Sequence, residues 1–305
     1  MLATAPQVRP ESRSRPVEIL EAATLDGLQN PAGMLKLFSP WRKLIVPPSG
    51  KASTWQDVYT FWFGEISAPA ANYNLMFGCG PKVDQVMRQV FEPLWKEALD
   101  GGLKDWEEQP KSLVAKVLLT DQFPRHMFRG TPDAYRSDEL ARRLADRCVE
   151  LLGQGAKFHV EELLIIAFAW LHDERVETVQ LFQDWVETLA EKLKGTSYPR
   201  RMWVHHNAGK AHVTTVARFG RYPHRNRILG RPSTVDEEAH MKAEAEGWEK
   251  DQSAEGRGGT KLYARGVRDH SFKAAKELWG DGHYEAATAA FFGAFLKANG
   301  YTGGL

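Results

Sequence analysis

The sequence holds only two cysteines, Cys79 and Cys148, and they form no spaced pair. A disulfide framework or a cysteine-ligated structural zinc site has nothing to build on, so a reducing, cytoplasmic compartment is the expectation. No apolar run reaches the ~18 residues needed to cross a bilayer. The first residues lack the apolar stretch of a secretory signal. Their arginines (Arg9, Arg13, Arg15) are interspersed with Glu11, Glu18 and Glu21, which speaks against an organelle transit peptide. Charge of one sign is also missing: 40 basic and 39 acidic residues leave a net +1. Nothing there marks nucleic acid or an anionic membrane as a partner. There is no compact metal-ligand motif such as His-Glu-x-x-His, and no stretch of strict alternation long enough to read as a strand.

What is present is enough apolar material for a sizeable core. Of 305 residues, 43% are hydrophobic, which fits one large domain or one domain with an appendage. Residues 1–50 lack sustained periodicity and read as an irregular arm with a short helix near 17–28. From Thr54 the pattern is helical and all-α. Thr54 and Asp57 have the spacing of an N-terminal cap, and Gly64 is the stop. Val83, Val86, Val90, Leu94 and Ala98 place a helix over about 82–100, ended by Gly101-Gly102. Another covers about 110–122. Thr131-Pro132-Asp133 reads as the start of a helix running to Gly153. The stretch 160–194 has no glycine or proline. It is either one helix or two meeting near His172-Asp173-Glu174. A helix follows over about 204–218, and a short one begins at Ser233 or Thr234 with Glu237 in capping position.

The resulting organisation is an arm over 1–50, a helical core over 51–245, a glycine-rich linker over 246–262 and a C-terminal helical hairpin over 263–305. In that hairpin the spacing Gly282, Tyr284, Ala287, Phe291, Ala294 is that of half a tetratricopeptide repeat or of an ordinary helical hairpin.

The informative residues are polar ones on apolar faces, because an unpartnered buried polar group costs about 1–3 kcal/mol. Leu113, Val114, Val117 and Leu118 make a stripe that continues to Asp121. Ala134, Asp138, Ala141, Ala145, Cys148 and Leu152 make another. Two inward carboxylates call for inward cations, and Arg125, Arg129, Arg218, Arg221, Arg225 and Arg231 are the candidates. His172 shares a face with Val176, Val179 and Val186, and His205 and His212 share one with Ala208, Val216 and Phe219. Each histidine reads either as a satisfied core residue or as a site residue. His205 and His212 lie roughly 10 Å apart along a helix, too far for one metal ion unless the helix breaks. The segment Arg218–Arg227 is dense in cations but broken by Gly220 and Pro223, so it is a shaped turn. Its guanidinium forks suit a carboxylate or phosphate. The alternative is an ion-pair knot with Asp121, Asp138 and Glu174.

These motifs resemble one family. Asp121-Gln122-Phe123-Pro124-Arg125, then Arg129-Gly130-Thr131-Pro132, Asp138, and Arg218-Phe219-Gly220-Arg221-Tyr222-Pro223-His224-Arg225-Asn226 with Leu229-Gly230-Arg231 and Ser233-Thr234 are similar to the domain-of-unknown-function family numbered 924. Phe61-Trp62-Phe63-Gly64 and Trp106 extend the likeness, which covers about residues 55–242. The resemblance implies an all-helical fold of the tetratricopeptide-like superfamily and no agreed activity. The family's Pro-x-x-His-Ser-Glu element is departed from here. His172 and Glu174 match, but Asp173 replaces the serine, so a hydroxyl nucleophile is missing.

Two functions follow as expectations. The first is an enzyme acting on a small anionic or polar molecule. His172, Glu174, His212 and His224 would supply acid–base chemistry, and Arg125, Arg221, Arg225 and Asn226 would hold the substrate. Asp121, Asp138, Arg129 and Arg218 would be structural ion pairs. A variant places a divalent metal (iron, manganese or zinc) on His172, Glu174 and His212. The second is a non-catalytic tetratricopeptide-like module taking an acidic peptide or chain terminus.

Overall fold

Thr54 and Asp57 close the expected capping box. The Thr54 hydroxyl accepts from the Asp57 amide at 3.3 Å, and Asp57 Oδ2 accepts from the Thr54 amide at 3.0 Å. They start α2 (Trp55–Phe63), whose last turn ends at Gly64 with φ +83°, a left-handed value that suits glycine. The computed structural model describes residues 15–24, 45–67, 69, 81–194 and 199–243. The expected linker and C-terminal hairpin, with the Gly282–Ala294 spacing, lie outside them. Among the described residues the elements are helices and turns, with one isolated bridge between Gly64 and Pro69.

Preceding α2 is α1 (Arg15–Ala22), and following it are α3 (Pro81–Leu99) and α4 (Pro110–Thr120). Then come α5 (Gln122–Met127), α6 (Asp138–Gly153), α7 (Val160–Leu171), α8 (Val176–Lys192), α9 (Pro199–Phe219) and α10 (Val235–Ala243). The short helix expected near 17–28 therefore sits at 15–22. It is docked, with Val17 and Leu20 buried against α6 and α8.

α4 and α7 are buried nearly all round and form the centre. α2 and α6 pack on α4, α6 and α8 pack on α7, and α9 lies along α8. At that last crossing the helices come close. A Cβ built on Gly209 would stand 2.2 Å from Gln183 Oε1 and 2.9 Å from the Phe182 ring. No helix among the described residues is long and apolar enough to cross a membrane.

Two expectations are corrected, each where a side chain competes with the helix ladder. The helix expected over 110–122 breaks at Asp121, because Pro124 has no N–H to donate to the Thr120 carbonyl. The helix expected from Thr131 starts instead at Asp138, after a 3-10 turn over Pro132–Ala134. Ser137 is drawn away from the helix path: its hydroxyl donates to the Thr120 carbonyl at 2.6 Å and accepts from Trp95 Nε1 at 2.9 Å. For the stretch 160–194 the second of the two alternatives holds: two helices meet at His172-Asp173-Glu174. Between them Asp173 accepts from the Arg175 amide at 2.8 Å, and Glu174 is held by a later loop.

Candidate functional site

The break at Asp121, the start of α6, the α7–α8 turn and the loop after α9 meet at one place. Their four chain segments bring together Asp121, Arg125, Asp138, His172, Tyr222 and Arg225.

Asp121 is fully buried. Its Oδ1 lies 2.8 Å from His172 Nδ1 and 3.2 Å from Arg125 Nη1, and its Oδ2 accepts from Gln122 Nε2 at 2.6 Å. Burial alone would raise the pKa of this carboxyl, but Arg125 and His172 outweigh it and hold the value at about 2. An ionised acceptor at Nδ1 fixes the neutral ring as the Nδ1–H tautomer and leaves a lone pair on Nε2. Among the described residues Nε2 makes no hydrogen bond, and the His172 side chain keeps 19% exposure. Burial and then Arg125 push the His172 pKa below its usual value, against the pull of Asp121. The ring is thus neutral at neutral pH, oriented from one side and open at the other.

Asp138 joins two arginines. Arg125 Nη2 donates to its Oδ2 at 3.1 Å and Arg225 Nη1 at 3.0 Å. Arg225 Nη2 donates to the His172 carbonyl at 2.8 Å. The Arg225 guanidinium stands 4.6 Å from the Tyr135 ring centre and 4.9 Å from that of Tyr222. The Tyr222 hydroxyl donates to the Leu171 carbonyl at 2.5 Å, and its amide donates to Glu174 at 2.8 Å. Arg231 binds both Glu174 oxygens, at 2.7 and 2.9 Å. The loop over 222–231 therefore grips the turn that carries His172 by backbone and side chain.

The other expected residues take separate positions. His212 and His224 are buried against Tyr222, each ring 5.5 Å from its centre. Burial, then Arg225 and His212, push the His224 pKa well below the usual imidazole value. Glu174 and Asn226 belong to the loop's own scaffold: Asn226 is buried and donates to Ser233 and Glu237 at 3.2 Å. Arg221, expected to hold substrate, does not join Asp121 and His172. Its guanidinium binds Glu237 at 2.7 and 2.8 Å, and that carboxyl is held at about 2 by Arg221 first, outweighing burial. Arg129, expected with the inward aspartates, pairs instead with Asp84 at 2.9 Å beside His126. Arg218 lies over the Phe219 ring at 4.7 Å. Among the described residues no three of His, Cys, Asp and Glu converge as a metal-ligand set, so His172, Glu174 and His212 do not come together as the metal variant requires.

Tyr135, Tyr222 and Gln122 complete the cluster and were not singled out from sequence. Tyr135 carries no periodic signal because it lies in the turn before α6. Tyr222 stood inside the recognised motif.

The sequence matches, over residues 58–245, the model of a family described as a bacterial protein of unknown function (DUF924). A solved structure of a protein of unknown function from Agrobacterium tumefaciens is 30% identical, covering 55% of this chain and 88% of that one, with a TM-score of 0.47. No curated protein matches the chain.

Proposed function

The chain belongs to the DUF924 family, and on that footing we propose that it is an enzyme that moves a proton on a small polar molecule, with His172 as the base and Asp121 orienting it. The observation that carries this reading is the His172 ring, bound at Nδ1 to a buried carboxylate 2.8 Å away and, among the described residues, without a hydrogen bond at Nε2. That arrangement is the one a general base needs: geometry fixed by a third group, neutral at working pH, one nitrogen open. Arg125 and Arg225 stand beside it as the groups that orient a substrate. Asp121, expected as a structural partner of arginine, becomes in this reading the residue that positions the base. Asp173 in the serine's place is consistent with chemistry in which no hydroxyl of that turn acts as nucleophile.

A non-catalytic module would hold its cations on an open concave face. Arg225 is 5% exposed, which weighs against docking of a peptide there. The packing of consecutive helices (α6 with α7, α7 with α8, α8 with α9) supports a tetratricopeptide-like arrangement of the core. The same scaffold would then carry a closed site.

The test is substrate discovery without a named substrate. Wild-type protein and the His172→Gln variant are incubated with an aqueous metabolite extract, and compounds consumed are followed by mass spectrometry. The expected result is at least one compound turned over by the wild type and spared by the variant. Absence of turnover by the wild type, or equal turnover by both, overturns the proposal.

A further inference from the structure

A carboxylate has two oxygens, and the His172 ring uses one of those on Asp121. The last torsion of an aspartate side chain is broad and two-fold, so the residue by itself does not choose which oxygen it presents. At Asp121 the neighbours choose. Oδ1 meets His172 Nδ1 at 2.8 Å and Arg125 Nη1 at 3.2 Å. Oδ2 accepts from Gln122 Nε2 at 2.6 Å, and among the described residues it receives no other hydrogen bond. Asp121 is fully buried and Gln122 is 6% exposed, so bulk water is shut out from the pair.

This contact between sequence neighbours is a product of the helix break. On a continuous helix, side chains at i and i+1 do not face each other. Asp121 stands between α4 and α5, and its φ of −108° departs from the helical value of about −63°. Gln122 begins α5, and its amide turns back onto the carboxylate of the preceding residue. An ionised acceptor requires the amide to present its NH2 group there. The Phe168 ring, 6.2 Å from the His172 ring and 20° from parallel, limits the tilt of the imidazole. It does not select between the two carboxylate oxygens.

We propose that Gln122 is a positioning residue: its amide holds Oδ2, so that Oδ1 faces His172 and the imidazole keeps its proton at Nδ1. Asp121 orients the base, and Gln122 orients Asp121. Without that amide, Oδ2 is a buried acceptor with no donor. Rotation that brings it toward Arg125 takes Oδ1 away from the ring. The electrostatics agree: burial alone would raise the Asp121 pKa, and Arg125, His172 and then Gln122 bring it to about 2. The inference rests on the reading of His172 as a base for its effect on turnover. Its effect on the ring stands without that reading.

The experiment compares two variants of the full chain with the wild type. Gln122→Met is close in length and has no donor. In Gln122→Glu two buried carboxyls stand side by side and share one proton, which returns a donor to Oδ2. The readout is the rate at which the His172 Nδ1–H exchanges with water, from NMR spectra of 15N-labelled protein. Gln122→Met is expected to exchange about tenfold faster than the wild type, the effect of one hydrogen bond to a charged group. On a compound that the wild type consumes, its kcat is expected to fall by a similar factor with KM unchanged. Gln122→Glu is expected to match the wild type at about pH 6 and to exchange faster than it as pH rises and the shared proton leaves. Wild-type exchange in Gln122→Met overturns the inference. Equal loss in both variants at about pH 6 does so too, because shape and not the donor would then matter. Should Gln122→Met fail to fold, Gln122→Glu decides alone: exchange that keeps pace with the wild type at every pH overturns the inference. A wild type that turns over nothing fails the enzyme reading, and the exchange rates still decide the role of Gln122.

Discussion

At the scale of single residues, burial decides what each charged side chain can do. Asp121 is reached by His172, Arg125 and Gln122 at once, so removing its carboxylate leaves Arg125 short of a partner inside the protein. Asp121→Ala is expected to cost about 3 kcal/mol or more in urea denaturation, as for breaking a buried pair from one side. Lys116 tests the same logic away from the site. It is 2% exposed, and its ammonium donates to the Gly102 and Leu103 carbonyls, both at 2.9 Å, and to Glu107 at 2.6 Å. Leu103 there has φ +53°, a left-handed value unfavourable for a side chain with a Cβ. Lys116→Met is expected to lower stability by about 2 kcal/mol, because the carbonyls lose their donors. Neither role was visible as such in the sequence. Helical stripes placed Asp121 and Asp138 inward, but a stripe does not say which arginine an aspartate will meet.

At the scale of elements, the helices themselves were largely legible, and their junctions less so. The capping boxes at Thr54 and Thr234 announce α2 and α10, because they are local and use one turn of chain. The late start of α6 was not readable from Thr131-Pro132, since the group that displaces the helix is the Ser137 hydroxyl bound across to Thr120. Two glycines separate close packing from backbone freedom. Gly209→Ala places a Cβ 2.2 Å from Gln183 Oε1 between α8 and α9. It is expected to lower the denaturation midpoint by the equivalent of about 1–3 kcal/mol. Gly220 ends α9 at φ +68° with open space around its Cβ position. Gly220→Ala is expected to cost only about 1 kcal/mol, from backbone strain. A cost at position 209 no larger than at 220 would contradict the close crossing.

At the scale of the whole molecule, the candidate site is an assembly of four separate segments, and that is why sequence located it only in part. His172, Arg125 and Arg225 converge as the motifs implied. Arg221 and Arg129 do not, because Glu237 and Asp84 lie nearer to them in the fold. The assembly also sets a pH dependence. His172 and His224 have folded-state pKa values below the usual 6.5. The unfolded chain therefore binds protons at these rings at higher pH than the folded one, and stability declines as pH falls below about 6.5. Asp121, lowered from 3.8 to about 2, contributes stability that is present above about pH 4 and lost between there and 2. Denaturation midpoints measured from pH 8 to 3 are expected to fall in that order. The central claim, that His172 is a neutral base held by Asp121, is tested most directly by NMR titration of the His172 ring nitrogens in the full chain. The account predicts an Nδ1–H tautomer at neutral pH and a pKa below 6.5. An Nε2–H tautomer, or a pKa at or above that value, would contradict it.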